Sequence, residues 1–401
     1  MATAAQWIQG ARLRTLPAAI APVLIGTAAA YEMDAFRPLN AILAALVALL
    51  LQVGVNYAND YSDGIRGTDE DRVGPLRLVG SGAAKAEQVK MAAFAAFGLA
   101  MLFGLTLVII TQTWWLILVG LGCVMAAWGY TGGKNPYGYM GLGDLFVFVF
   151  FGLVATLGTT YTQAGQLSLA SIIGAIGTGL IACALLMANN VRDIPTDIKA
   201  GKKTLAVRLG DKHARESYVL MLAVAILLVV ILAPGRPWML IVLLLIPAIL
   251  MPSWLMINGR KRKSLIPVLK QTGLINLGYS LLFSLGLVLG HGSRTRSWGR
   301  GRGWPVSRSR WSLWSLCPGP WRSPCGDGPR SQRSPGCVHQ PVFGVGVFKL
   351  ACAADRLGAA GKAVAESGRG VIALLLEEQV ADGEGHQAGT ERGEQRSQLK
   401  V

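Results

Sequence analysis

Charge, cysteine and histidine are all scarce in this chain of 401 residues. Asp, Glu, Lys and Arg make up 15% of it, whereas a soluble domain carries about a quarter. A water-facing surface of this size cannot be coated with so few charges, which excludes an ordinary soluble globule. Six Cys are too sparse for a secreted disulfide scaffold. Four His come without a His-Glu-x-x-His segment, and neither Gly-x-Ser-x-Gly nor a Gly-Lys-Ser/Thr phosphate loop occurs. Zincin, serine-hydrolase and P-loop chemistries are therefore disfavoured. Hydrophobic residues reach 52% and mean hydropathy is +0.44, which excludes a chain disordered throughout.

What is present divides near Gly292. Residues 1–292 hold 22 Lys+Arg and 13 Asp+Glu; the remainder holds 16 and 9. In the first part, apolar runs recur at 16–31, 38–57, 91–110, 112–130, 144–162, 168–189, 217–234, 237–257 and 272–291. Each approaches the ~20 residues a helix needs to cross hydrocarbon, and none alternates with period 2, so helices are expected rather than a barrel. The weakest break is the one at Thr111–Thr113. Charge sorts the loops. Arg12 and Arg14, the Arg66–Lys90 segment, Lys134, the Arg192–Arg215 segment and Arg260–Lys270 fall on one side, leaving little beyond Arg37 and Arg236 for the other. Positively charged loops stay cytoplasmic, and nine spans with the N-terminus inside reproduce the alternation. The expectation is an all-α integral membrane protein of the cell membrane. The stretch after Arg14 reads as a retained first span rather than a signal peptide cleaved at Ala28–Ala30.

The carboxylates of this part are grouped. One group lies in Asn56-Tyr-Ala-Asn59-Asp60-Tyr-Ser-Asp63, continuing to Asp69, Glu70, Asp71 and Arg72; the other lies in Asn189-Asn190-Val-Arg192-Asp193-Ile-Pro-Thr-Asp197. Each starts where an apolar span ends, on the expected cytoplasmic side. Asn59 and Asp63, and Asp193 and Asp197, are four apart and share a face on a continuing helix, although Pro195 is expected to bend the second pair. Single pairs of this kind are commonly solvated caps. Two acid groups at a membrane boundary repel unless cations sit among them. Hard oxygen donors suit Mg²⁺, which takes few carboxylates and adds substrate phosphates, so the two groups together point to Mg²⁺ gripping a diphosphate. Transport carboxylates, by contrast, lie nearer the bilayer midplane. A third loop, Tyr130-Thr-Gly-Gly-Lys134-Asn-Pro-Tyr-Gly-Tyr, offers Lys134 to phosphate oxygens. Lys202, Lys203 and Arg208 carry similar charge, which the cytoplasmic bias of positive loops already accounts for. His213 reads as a loop residue, and Cys123 and Cys183 as small packing residues.

Asn59-Asp60-x-x-Asp63, Asp193-x-x-x-Asp197 and Tyr130-x-x-x-Lys134 together resemble the UbiA-type intramembrane prenyltransferases. Asn-Asp-Tyr-Ser-Asp-Gly-Ile-Arg-Gly-Thr-Asp with Arg72-Val-Gly-Pro75, and Arg192-Asp-Ile-Pro-Thr-Asp197 running to Lys203-Thr-Leu-Ala-Val-Arg-Leu-Gly210, resemble their menaquinone branch, the 1,4-dihydroxy-2-naphthoate polyprenyltransferases. The likeness covers residues 5–292. It implies about nine transmembrane helices around a central cavity, Mg²⁺, a polyprenyl diphosphate donor, a 1,4-dihydroxy-2-naphthoate acceptor and a lipid surround. Under it, Asn59, Asp63, Asp193 and Asp197 hold Mg²⁺ and diphosphate, and Asp60 is a metal or supporting residue of the catalytic group. Lys134, Tyr130 and Lys203 bind the donor. Asp69 orients or deprotonates the acceptor, and Arg72 or Arg77 pairs with its carboxylate. The competing readings are transfer to another acceptor, such as 4-hydroxybenzoate or a chlorin, and a polytopic carrier without enzymatic activity.

Residues 293–401 have another composition: 13 Arg against 3 Lys, five Trp between Trp298 and Trp321, and four of the six Cys. This is what G+C-rich DNA yields in an unintended frame, and a disordered tail from a frameshift or read-through is expected. Arg, Gly and aromatics also suit single-stranded nucleic acid, but nine spans put this tail outside, and no nucleic-acid partner is expected. Its Cys spacings lack a zinc knuckle.

Overall fold

A backbone crossing hydrocarbon has to satisfy its own N–H and C=O groups, and the apolar runs do so as helices. The computed structural model describes residues 2–67, 76–133, 136–259 and 262–298, and among these every regular element is helical. The expected tail falls almost wholly outside the described residues.

Helix α1 (Ala4–Ala11) is short and starts on a Thr3–Gln6 capping box. Arg12 then takes a left-handed conformation, φ 53°, and the chain turns into α2 (Leu16–Glu32). There follow α3 (Pro38–Ile65), α4 (Ala86–Thr111), α5 (Leu116–Gly129), α6 (Gly143–Ala164), α7 (Leu169–Lys199), α8 (Leu205–Leu232), α9 (Pro237–Ile257) and α10 (Ile266–Trp298). Among the described residues, eight stretches are long and apolar enough to cross a membrane, with α1 and α2 counted as one. The ninth expected span is α5, whose 14 residues rise only about 21 Å. The break before it is real: Gln112 is left-handed at φ 57° and ends α4.

Several boundaries differ from expectation because polar residues continue a helix beyond the apolar run. Helix α8 begins at Leu205 rather than 217, so His213 is helical, its ring nitrogen facing the Leu209 carbonyl at 3.2 Å. Gly210, at φ 76° and ψ 163°, kinks that extension. Pro195 does not end α7, which continues to Lys199.

The deepest core lies among α7, α8, α9 and α10, around Ile181, Met187, Tyr218, Leu222, Tyr279 and Phe283. Lipid supplies no hydrophobic drive between helices, so small residues set how closely they approach. A Cβ on Gly152 would stand 2.6 Å from the Gly179 Cα, and one on Gly177 would stand 1.9 Å from the Tyr279 hydroxyl. Next to the first contact, α6 widens into a π-helical stretch, Phe148–Val154.

The two ends of the bundle are fastened differently. At one end Arg236 pairs with Glu32 at 2.5 Å, His291 meets Asp34 at 3.2 Å, and the Arg37 amide donates to Gln163. The opposite end gathers the C-termini of α3, α5 and α7 with the loops that follow them.

Candidate active site

That opposite end encloses a cavity of about 530 Å³. Because α3 runs four residues past Tyr61 and α7 four past Pro195, each carries its acid group as a continuous helical face. Asn59, Asp63, Asp193 and Asp197 all line the cavity, although Asp63 and Asp193 are separated by 130 positions in the sequence.

Asp63 is 4% exposed and heavily partnered. Its Oδ1 accepts from the Tyr139 hydroxyl at 2.8 Å and lies 3.5 Å from Lys202 Nζ; its Oδ2 lies 3.3 Å from Arg77 Nη2. Arg77 is itself 9% exposed. Removing either partner of a buried pair leaves an uncompensated charge. Across the cavity Arg192 grips Asp193 with two bonds, 2.7 and 2.6 Å. Asn59 Oδ1 accepts from Thr131 at 2.7 Å, and the Asp197 carbonyl accepts from the Lys202 amide at 2.8 Å.

The third loop is held by Arg66, whose guanidinium donates to the carbonyls of Thr131 and Gly133. Tyr130 lines the cavity and packs edge-on to Tyr137. Tyr137 stacks on Phe146 at 3.9 Å, and Phe146 on Phe150 at 5.9 Å. An aromatic column thus descends from the polar end into the apolar part of the wall.

Two of the residues expected at the site do not line the cavity. Asp60 is wholly buried and turned out of the cavity; its two oxygens accept from the amides of Leu78 and Val79 at 2.8 and 3.1 Å. Through these two bonds it holds the segment carrying Arg77. Lys203 is exposed and contributes its backbone, donating to the Tyr139 carbonyl at 2.8 Å; the neighbouring Lys202 is the one that faces the cavity. Which of two adjacent lysines points inward depends on the turn after α7, and charge counting cannot tell them apart. Tyr139 was missed altogether, and nothing in its Gly-Pro-Tyr surroundings distinguishes it from a turn residue. Asp69, Arg72 and Lys134 lie outside the described residues. Burial, followed by the negative charge of Asp63, raises the Tyr139 pKa above its ordinary 10.0, while Lys202 opposes the shift.

Among the described residues no three His, Cys, Asp or Glu side chains stand together closely enough to hold a metal ion. Each acid group on the cavity nevertheless offers a small set of hard oxygen donors with cations beside it. That set fits an ion completing its shell with water and phosphate oxygens, and does not fit one wanting thiolate or imidazole.

Fold and site together define an all-helical, multi-pass membrane protein with an acid- and cation-lined cavity at one end of its bundle. Residues 19–291 match the UbiA prenyltransferase family, to which the chain belongs. It is 51% identical over 290 residues to the 1,4-dihydroxy-2-naphthoate octaprenyltransferase of Mycobacterium tuberculosis, covering 72% of this chain and 99% of that protein. In fold it is similar to the apo structure of a UbiA homolog from Aeropyrum pernix K1, with TM-score 0.53, 17% identity, and 68% of this chain and 97% of that one covered. It is similar also to a UbiA homolog from Archaeoglobus fulgidus bound to DMAPP and Mg²⁺, with TM-score 0.52, 16% identity, and 72% and 99% covered.

Proposed function

We propose that this protein transfers a polyprenyl group from polyprenyl diphosphate to 1,4-dihydroxy-2-naphthoate, releasing pyrophosphate and CO₂ and forming the prenylated hydroquinone, demethylmenaquinol. The observation carrying this reading is that two acid groups, distant in sequence, face one cavity alongside Lys202 and Arg77 and above an aromatic wall. The relative at 51% identity bears the name of this activity.

Asn59 and Asp63 on one side, and Asp193 and Asp197 on the other, would hold Mg²⁺ through oxygen. Magnesium, when bound, offsets the charge that develops on departing pyrophosphate. Lys202 and Arg77, which neutralise Asp63 when no donor is present, bind diphosphate oxygens, and Lys134 does so from the third loop. Electrostatic stabilisation aimed at the leaving group is the main contribution. When the allylic C–O bond breaks, its electron pair leaves with pyrophosphate. The remaining allylic cation is shielded from water by the apolar helices and faces the aromatic column, whose π clouds attract positive charge. Arg72 pairs with the acceptor carboxylate, and Asp69 takes a ring hydroxyl proton as the carboxylate-bearing ring carbon attacks. The C–CO₂ bond then breaks, its electron pair restores the aromatic ring, and the proton returns to the oxygen as CO₂ leaves. Asp60 acts at one remove by holding the backbone of the Arg77 segment. The Lys/Arg-rich loops face the cytoplasm and the bundle sits in the cell membrane, bathed in lipid.

Membranes carrying the protein, supplied with labelled polyprenyl diphosphate, Mg²⁺ and one acceptor at a time, test this. Labelled lipid product is expected with dihydroxynaphthoate alone. Product with 4-hydroxybenzoate instead transfers the enzyme to another acceptor, and the absence of product with every acceptor leaves a carrier.

A further inference from the structure

We propose that Tyr139 is a positioning residue which fixes the Asp63 carboxylate for metal binding by joining the three loops that roof the cavity. The inference rests on the prenyltransferase reading but names a residue and a task outside it.

Tyr139 touches all three loops. Its own segment, Tyr137–Met140, follows the Gly-Gly turn. Its hydroxyl donates to Asp63 Oδ1 at the end of α3, 2.8 Å away. The Lys202 ammonium stands 4.4 Å from its ring centroid and the Arg66 guanidinium 5.3 Å. Its carbonyl accepts from the Lys203 amide, and Arg208 ties the next carbonyl, that of Met140, to α8 at 2.7 Å. A ring is a suitable contact here because its face attracts both cations without removing their charge, while its hydroxyl binds the carboxylate that Lys202 also approaches.

Asp63 is a short side chain whose two rotatable bonds set where its oxygens point. A neutral donor on Oδ1 restricts that rotation and leaves the carboxylate its charge and its remaining lone pairs. Partners that orient a metal-binding carboxylate characteristically change affinity or activity 10–100-fold when removed.

The test uses the full chain purified in detergent and Mn²⁺ as a spectroscopic stand-in for Mg²⁺. Mn²⁺ is titrated by EPR with inorganic pyrophosphate present, in wild type, Tyr139→Phe and Tyr139→Leu. Tyr139→Phe keeps the ring and loses only the hydroxyl. It is expected to weaken Mn²⁺ binding roughly tenfold with thermal unfolding unchanged, and excess Mg²⁺ should restore its kcat. Tyr139→Leu also loses the ring against Lys202 and Arg66 and should weaken binding further. Wild-type Mn²⁺ affinity in Tyr139→Phe overturns the proposal, as does affinity lost only in step with thermal stability. The readout is separate from the assignment of acceptor: wild type that binds Mn²⁺ yet prenylates nothing sinks the proposed function and leaves the role of Tyr139 standing.

Discussion

Replacing Asp60 with Asn separates a scaffolding carboxylate from a metal-binding one, since the two roles give opposite results. Asp60 accepts from two backbone amides, Leu78 at 2.8 Å and Val79 at 3.1 Å, with no solvent exposure. An amide keeps one acceptor and turns its NH₂ toward the other N–H, so one charge-assisted bond is lost and one buried donor is left facing a donor. Bonds to charged groups contribute about 1.5–3 kcal/mol and an unsatisfied buried donor costs about 1–3 kcal/mol, two views of overlapping terms. A local destabilisation of about 2–4 kcal/mol follows, concentrated on the segment that carries Arg77. Hydrogen exchange measures it: the amides of Leu78 and Val79 should lose roughly 30- to 1000-fold of their protection. Turnover should fall because Arg77 loosens, while the Mn²⁺ titration stays near wild type. If Asp60→Asn keeps its protection and loses metal binding, the scaffolding assignment is wrong and Asp60 belongs among the metal ligands.

Asp63→Asn and Asp193→Asn should each abolish turnover while the protein still inserts; near-normal activity in membranes bearing either variant would remove the metal assignment. Lys202→Met should raise KM for polyprenyl diphosphate, whereas Lys203→Met, which loses only an exposed side chain, should leave steady-state kinetics unchanged; equal effects would refute the choice between them. A raised tyrosine pKa favours the neutral form in the folded state, so what Tyr139 contributes is present below pH 10 and is lost as pH rises through its higher folded value. Wild type and Tyr139→Phe should accordingly show parallel pH–stability curves up to about pH 10 and diverge only above it. Ending the chain after Gly292 should leave prenyl transfer intact in membranes, since the family match stops at residue 291; lost activity would give the Arg-rich residues a part in the reaction.

Hydropathy and charge alone determined the helical, many-spanned architecture and the grouping of acids at span ends, because a lipid environment imposes strict length and polarity rules on every crossing segment. Motif spacing was equally legible: four residues apart on a helix is one face, and α3 and α7 both continue far enough to make it so. What the sequence could not decide was which polar groups face the cavity and which are consumed by the protein itself. Asp60 and Asp63 are three residues apart in one motif, yet one serves backbone amides and the other the cavity wall. Lys202 and Lys203 are adjacent and diverge in the same way. These choices depend on loops meeting across the roof, where Tyr139 receives Asp63, Lys202 and Arg66 from two other parts of the chain. Contacts of that kind have no local signature, because the free energy of each side-chain orientation is set by partners up to 139 positions away.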